Sequence, residues 1–104
     1  MLEYSEFVTK LNTTSGTGVA DLDHHTLSLS AEAGELAGKV SKKLYRGQHY
    51  TAEEYLSELG DVLFHVQALC NYFNVTLLEV AHANQYKLIN RVAAGTLHGD
   101  GDNR

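Results

Sequence analysis

The chain has 104 residues, of which 43% are hydrophobic and 20% charged, the usual composition of one soluble globular domain. Its formal net charge of −5 argues against nucleic acid as a partner, because binding to a phosphate backbone needs a basic face. The first residues lack the basic and apolar segments of a leader peptide, and no apolar run is long enough to cross a membrane. We therefore expect a cytoplasmic protein that binds neither nucleic acid nor membrane.

The first half of the chain shows helical patterns separated by a polar loop. Residues 3–11 form a short amphipathic segment, and residues 12–18 are rich in Thr, Ser and Gly, as is typical of a loop. Apolar residues at helical spacing predict a long helix over about residues 20–46. Gly47 follows this helix as a candidate C-cap.

The second half contains two N-terminal helix signals. Thr51 and Thr76 each stand three residues before a glutamate, which is the capping-box sequence. They predict a third helix that ends near Tyr72 and a fourth helix that ends near Ala94. Proline is absent from the chain, so nothing interrupts these helices from within.

Each of the two longest helices has an apolar stripe that is expected to face a common core. The stripe residues are Leu22, Leu29, Ala33, Leu36, Val40 and Leu44 on the second helix, and Tyr55, Leu59, Val62, Val66, Leu69 and Phe73 on the third. The lone cysteine, Cys70, lies among apolar residues and is predicted to be a core residue rather than a reactive thiol. These patterns predict an all-α, four-helix-bundle-like single domain over residues 1–104, with residues 95–104 as a Gly- and Asp-rich tail.

Two acidic pairs at i, i+3 spacing fall inside the two longest predicted helices. Glu32 and Glu35 belong to the second helix, and Glu58 and Asp61 belong to the third. Residues three apart project from one helix face, so two such helices packed together would bring four carboxylates close to one another. A hard divalent cation with oxygen ligands is the natural counter-charge. The spacing alone has low specificity, because such pairs also arise by chance in an acidic chain.

A glycine lies inside each acidic pair. Gly34 and Gly60 stand in helix interiors, where glycine costs about 0.8–1.0 kcal/mol relative to alanine. Unless they are merely tolerated, these glycines indicate close approach of another helix or of a ligand.

Two further side chains lie one helical turn after an acid. Lys39 follows Glu35 and could either bridge a metal site to a phosphate or form an ordinary i, i+4 ion pair. His65 follows Asp61 and could orient that carboxylate, add a fifth ligand or be a hydrogen-bonded bystander. The sequence leaves both choices open.

The predicted fourth helix has a polar and basic stripe. Asn84, Lys87 and Arg91 recur at spacings of three and four residues, which places them on one face. An amide and two cations on one face suit the recognition of a phosphate chain. The same stripe would be ordinary as a solvated helix face.

The two acidic pairs, followed along the chain by the polar and basic stripe, resemble the pattern of the MazG-like all-α nucleoside triphosphate pyrophosphohydrolases. That family shares an E-x-x-E, a variable spacer and an E-x-x-D, and here Glu32-Ala-Gly-Glu35 is followed by 22 residues and then Glu58-Leu-Gly-Asp61. Asn84-Gln-Tyr-Lys87-Leu-Ile-Asn-Arg91 resembles the family's N-x-x-K-L-x-x-R signature on the last helix. The resemblance extends from about His24 to the end of the chain.

The resemblance implies hydrolysis of a nucleoside triphosphate, more specifically a deoxynucleoside triphosphate, to monophosphate and pyrophosphate, with house-cleaning of the nucleotide pool as a role. It implies that Mg²⁺, or Mn²⁺ in its place, binds to the four acids Glu32, Glu35, Glu58 and Asp61. Either Glu35 or Glu58 would be the general base. The phosphate-binding residues would be Lys39, Asn84, Lys87 and Arg91. A homodimer or homotetramer is expected.

Three alternatives remain at this point. The same metal site could serve another substrate, such as dUTP, dCTP or phosphoribosyl-ATP. A non-catalytic helical oligomerisation module would instead leave the acids solvated. A di-iron carboxylate protein is the weakest alternative, because it needs two Glu-x-x-His motifs and the chain has only Glu79-Val-Ala-His82.

Overall fold

A computed structural model describes residues 3–12 and 18–95, and in these ranges all regular structure is helical. The four helices are α1 (Tyr4–Lys10), α2 (Asp21–Arg46), α3 (Ala52–Tyr72) and α4 (Leu77–Ala94). The predicted all-α class is therefore confirmed. Most of the predicted loop and residues 96–104 of the predicted tail lie outside the described residues.

The ends of the helices follow the signals read from the sequence. Gly47 and Gly95 end α2 and α4 in the left-handed region, with φ of 63° and 71°, a conformation that glycine adopts without steric cost. Thr51 and Thr76 form complete capping boxes, in which each threonine side chain accepts a hydrogen bond from the backbone N–H of the glutamate three residues on. The predicted caps at Gly47, Thr51 and Thr76 are confirmed, and Gly95 is a further C-cap.

The chain divides into two compact units, Met1–Asn74 and Val75–Arg104. In the first unit both α1 and α2 pack against α3. The second unit contains α4. The single-domain assignment over residues 1–104 stays a prediction. No helix in the described part of the chain is long and apolar enough to cross a membrane.

Within the first unit, hydrogen bonds from the C-terminal half of α3 hold α1 against α3. Nδ2 of Asn71 donates to the backbone oxygen of Ser5 and to Oγ1 of Thr9, each at 3.0 Å. Oδ1 of Asn71 accepts from Nε2 of the buried Gln67 at 2.9 Å, which holds the Asn71 amide in this orientation. Cys70 is buried as predicted, and burial raises the pKa of its thiol, so the thiolate form is disfavoured.

The predicted apolar stripes are only partly covered. Val8, Ala68 and Cys70 are the buried apolar residues of the described core. Five stripe residues that were predicted to face the core are instead exposed, namely Ala33, Val40, Leu44, Leu59 and Phe73. Helical spacing identifies an apolar face, but α2 and α3 each meet too few neighbouring elements within the first unit to cover the whole of that face.

Candidate active site

Three carboxylates from two helices converge in the first unit. Glu32 lies on α2, and Glu58 and Asp61 lie one turn apart on α3. One oxygen atom from each carboxylate lies within 4.8 Å of an oxygen from each of the others. The i, i+3 spacing places Glu58 and Asp61 on the same face of α3, and the packing of α2 against that helix brings in Glu32. We call these three residues the acidic cluster.

The fourth predicted acid, Glu35, is exposed and does not join this group of three. Its charge still affects the cluster. Burial raises the pKa of Glu32, and the charges of Glu35, Asp61 and Glu58 raise it further, in that order. Each charge that the cluster adds makes ionisation of Glu32 less favourable, so the site favours a bound cation or a bound proton.

Glu58 is the most constrained carboxylate of the cluster. Its Oε1 atom lies 3.6 Å from Nζ of Lys39. Its Oε2 atom is buried, and no described residue donates a hydrogen bond to it. A buried carboxylate oxygen without a donor is unfavourable, because the group has lost its hydration without replacement.

Lys39 is held by an aromatic ring as well as by Glu58. Its Nζ atom lies 4.5 Å from the ring centroid of Tyr50, in cation–π geometry. Tyr50 in turn packs edge-on against Tyr55 of α3, with centroids 6.0 Å apart. The structure thus shows Lys39 paired with Glu58 on the neighbouring helix, at the edge of the acidic cluster.

The acidic cluster fits a hard divalent cation. Carboxylate oxygens are the ligands that Mg²⁺ prefers, and the cluster offers one from each of three side chains. The orphaned Oε2 atom of Glu58 would gain the positive partner that the described residues do not supply. The residues that would hold the ion are therefore Glu32, Glu58 and Asp61.

Three histidines form a second polar cluster between α2 and α3. His25 is 1% exposed, and its Nδ1 lies 3.0 Å from Nδ1 of His65 on α3. His24 packs edge-on against His25, with ring centroids 4.9 Å apart. Burial, followed by the charges of neighbouring imidazoles, lowers the pKa of both His25 and His65. We call His24, His25 and His65 the histidine cluster.

The two clusters interact electrostatically. The charge of Asp61 opposes the lowering of the pKa of His65. Asp61 also contributes, after burial, to the raised pKa of Tyr4 on α1. All three helices of the first unit therefore place a titratable group in the field of Asp61.

The predicted phosphate-binding residues on α4 belong to the second unit. Asn84, Lys87 and Arg91 follow one another at helical spacing, as predicted. Asn84 and Lys87 are exposed, whereas Arg91 is buried, which differs from an ordinary solvated stripe. Their role in phosphate binding stays a prediction.

Comparison with known proteins supplies the family. The family model of the MazG nucleotide pyrophosphohydrolase domain matches residues 22–94, which include both acidic pairs and the stripe on α4. This chain belongs to the MazG family. The gene 37 protein of Mycobacterium phage L5 is 37% identical over 91 residues, covering 83% of this chain and 79% of that protein. No solved structure matches the chain significantly.

The MazG assignment gives nucleotide pyrophosphohydrolase chemistry in general terms and agrees with the resemblance read from the motifs. Sequence reasoning missed Tyr50 and His25 as neighbours of the site. Tyr50 gives no local signal, because its contact with Lys39 arises only when the connection between α2 and α3 folds back. For His25 the adjacent pair His24-His25, seven residues before Glu32, was a usable signal, since that spacing returns to the same helix face.

Proposed function

We propose that this MazG protein hydrolyses a nucleoside triphosphate, in particular a deoxynucleoside triphosphate, to the monophosphate and pyrophosphate. The observation that supports it most is the orphaned, buried Oε2 of Glu58 within a group of three carboxylates. A group of this kind favours a cation, and Mg²⁺ is the cation that accompanies nucleotide phosphates. House-cleaning of the nucleotide pool, in the cytoplasm, is the role we propose for this activity.

In the proposed reaction, the acidic cluster binds Mg²⁺, with Mn²⁺ as a substitute. When bound, the ion neutralises charge on the phosphate oxygens and lowers the pKa of a coordinated water. One carboxylate oxygen from each of Glu32, Glu58 and Asp61 lies within 4.8 Å of the others, which supports these three side chains as the ligands. The ammonium group of Lys39, which pairs with Oε1 of Glu58, would bind a phosphate oxygen of the substrate.

Glu35 is the better of the two candidates for the general base. A base must keep an oxygen that is not committed to the metal, and Glu35 lies outside the group of three. It is exposed and therefore open to water. Glu58, in contrast, is half-buried and has one oxygen beside Lys39. In this scheme Glu35 takes a proton from the attacking water, and Asn84, Lys87 and Arg91 bind the phosphate chain.

We further propose that the chain associates with copies of itself, as a homodimer or homotetramer. Exposed leucines on α3 support this, because Leu56, Leu59 and Leu63, together with Gly60, line an open groove of about 480 Å³. Exposed apolar surface of this kind is typical of a protein interface. Sedimentation velocity over a range of concentrations would test association, and a monomer at all concentrations would contradict it.

The reaction is tested by a panel of ribo- and deoxynucleoside triphosphates, assayed with Mg²⁺ in ¹⁸O-labelled water. We expect pyrophosphate and a monophosphate that carries the label, because water attacks the α-phosphorus. Release of orthophosphate and a diphosphate would place the protein in another reaction class. Including dUTP, dCTP and phosphoribosyl-ATP in the panel identifies a related substrate. Absence of turnover on every compound would favour the non-catalytic module.

The role of the α4 stripe is tested by Lys87→Ala and Arg91→Ala. A charge-assisted contact with phosphate contributes roughly 1.5–3 kcal/mol, so each change should lower kcat/KM by about ten- to a hundred-fold. The loss should be similar for all bases, since every nucleotide has the same phosphate chain. A loss of kcat/KM for one base only would indicate that these residues line a base pocket. Unchanged kcat/KM would indicate that they form an ordinary solvated helix face.

A further inference from the structure

The histidine cluster lies beside the acidic cluster but has no part in the proposed metal site. His25 and His65 meet through the same atom, Nδ1, at 3.0 Å. Two Nδ1 atoms at this distance form a hydrogen bond only if one carries a proton and the other a lone pair. Because burial lowers both pKa values, each ring is neutral and has a single N–H. Only two arrangements of these protons are then possible.

The arrangements differ in what they leave buried. If His65 donates, His25 must carry its own proton on Nε2, and that buried atom finds no acceptor among the described residues. If His25 donates, its Nε2 holds only a lone pair. A buried N–H without an acceptor is rarer in proteins than an under-used acceptor, so donation from Nδ1 of His25 is favoured.

The charge of Asp61 links His65 to the acidic cluster. When His25 donates to Nδ1 of His65, the proton of His65 resides on Nε2. The negative charge of Asp61, one turn earlier on α3, acts on the ring of His65. The third imidazole of the cluster, that of His24, lowers the pKa of His25 further. The charge of Asp21 acts in the opposite direction and raises it.

Nε2 of His65 has no hydrogen-bond acceptor in the described part of the chain, and it is not among the buried orphaned atoms. In this tautomer it is therefore a donor that a ligand can reach, on the helix that also carries Glu58 and Asp61. In this tautomer the neutral ring of His65 can donate a hydrogen bond from Nε2–H, so it does not have to be protonated to the imidazolium form to do so.

We propose that His25 is a positioning residue that fixes His65 in the Nε2–H tautomer, and that this N–H donates to a phosphate oxygen of the substrate. This inference rests on the proposed function for its second half only. The tautomer can be measured in the protein without substrate.

The first experiment is long-range ¹H–¹⁵N correlation NMR of the full chain, without metal, above pH 7. We expect His65 to be protonated on Nε2 and His25 on Nδ1. The opposite assignment would overturn the inference. Adding Mg²⁺ with inorganic pyrophosphate should then shift the His65 Nε2 resonance in the wild type. The shift should be absent in an Asp61→Ala variant, which lacks one of the proposed ligands.

The second experiment compares matched variants by kcat/KM. His65→Leu should lose about tenfold or more, and His65→Gln should recover part of it, because a glutamine amide reaches near the position of Nε2. His25→Leu should lose less than His65→Leu. His25→Asn should retain most activity, because its amide lies near the position of Nδ1. Equal activity of His65→Leu and wild type would overturn the inference.

These outcomes separate the inference from the proposed function. If the wild type hydrolyses no triphosphate, the proposed function fails, and the NMR assignment still decides whether His25 fixes the tautomer. If the wild type is active and the four histidine variants lose activity only in proportion to their stability, the positioning role is wrong.

Discussion

The acidic and histidine clusters lie in the same unit and are built by the same pair of helices, yet they differ in how their titratable groups are stabilised. In the histidine cluster, burial lowers the pKa values, and neutral rings form a hydrogen bond at 3.0 Å. In the acidic cluster, burial and mutual repulsion raise the pKa of Glu32, and Oε2 of Glu58 finds no donor among the described residues.

The difference shows which cluster depends on a cation. A neutral pair of imidazoles needs no counter-charge, because one proton lies between the two Nδ1 atoms. Carboxylates held close together repel one another when they are ionised, so a bound cation stabilises them. Lys39 supplies one positive charge to Glu58, against the three carboxylates of the cluster. The acidic cluster is therefore where a ligand has the most to contribute.

The largest effect that tests this comparison is expected from Asp61→Ala. Losing a metal ligand removes several kcal/mol of transition-state stabilisation, so turnover should fall roughly a thousandfold or more. Steady-state kinetics would measure this, with circular dichroism to show that helical content is retained. Glu53→Ala is the matched control, an exposed acid on the same helix. Activity retained in Asp61→Ala would contradict the metal-site proposal.

The next effect concerns Mg²⁺ and Glu32→Gln. At an Mg²⁺ concentration of 100 Kd, a site present only in the folded state stabilises it by about 2.7 kcal/mol. We expect Mg²⁺ to stabilise the Glu32→Gln variant less than the wild type, because the variant lacks one ligand. In EDTA the variant should be no less stable than the wild type, because one repulsive charge is gone. Denaturant unfolding with EDTA and with Mg²⁺ measures both. An equal gain in the two proteins would contradict the site.

The histidine cluster predicts a dependence of stability on pH. The pKa values of His25 and His65 are lowered in the folded state, so unfolding takes up protons as the pH falls. The contribution of these two histidines to the free energy of unfolding should be fully present above the ordinary histidine pKa of about 6.5. It should decrease progressively as the pH falls below that value. Denaturant unfolding from pH 8 to 5 measures this.

His25→Phe should flatten that pH profile, because it removes one titrating group. Glu32→Gln serves as the control, since the raised pKa of Glu32 acts in the opposite direction. A profile of Glu32→Gln that is flat over the same range would contradict the assignment of the pH dependence to the histidines.

The smallest effect concerns the helix glycines beside the acidic cluster. The expected close approach of another helix at Gly34 and Gly60 is wrong within the described residues, because a Cβ at either would meet nothing within 4 Å. Gly34→Ala and Gly60→Ala should each stabilise the folded chain by about 0.8–1.0 kcal/mol. Gly38→Ala is the control, since Gly38 is equally open.

Activity then separates the remaining explanations for the two glycines. A loss of kcat/KM or of association in Gly34→Ala or Gly60→Ala, but not in Gly38→Ala, would show that a ligand or a second copy approaches there. Unchanged activity in all three variants would show that the glycines are merely tolerated. A loss of stability in the first two variants would contradict the open geometry.

The sequence by itself determined the helices and their ends. The capping boxes at Thr51 and Thr76 and the glycines after α2 and α4 act through bonds within one turn of the chain, so local sequence is sufficient to identify them. The pairing of Glu58 with Asp61 on one face follows from helical spacing for the same reason.

Only the tertiary structure decided which of these groups meet. Lys39 pairs with Glu58, 19 positions along the chain, rather than with Glu35 one turn away. Glu32 joins the acidic cluster and Glu35 does not, and His25 finds His65 across 40 positions. These choices depend on how α2 is aligned along α3 and rotated about its own axis. Both are set by packing between the two helices, which no local pattern specifies.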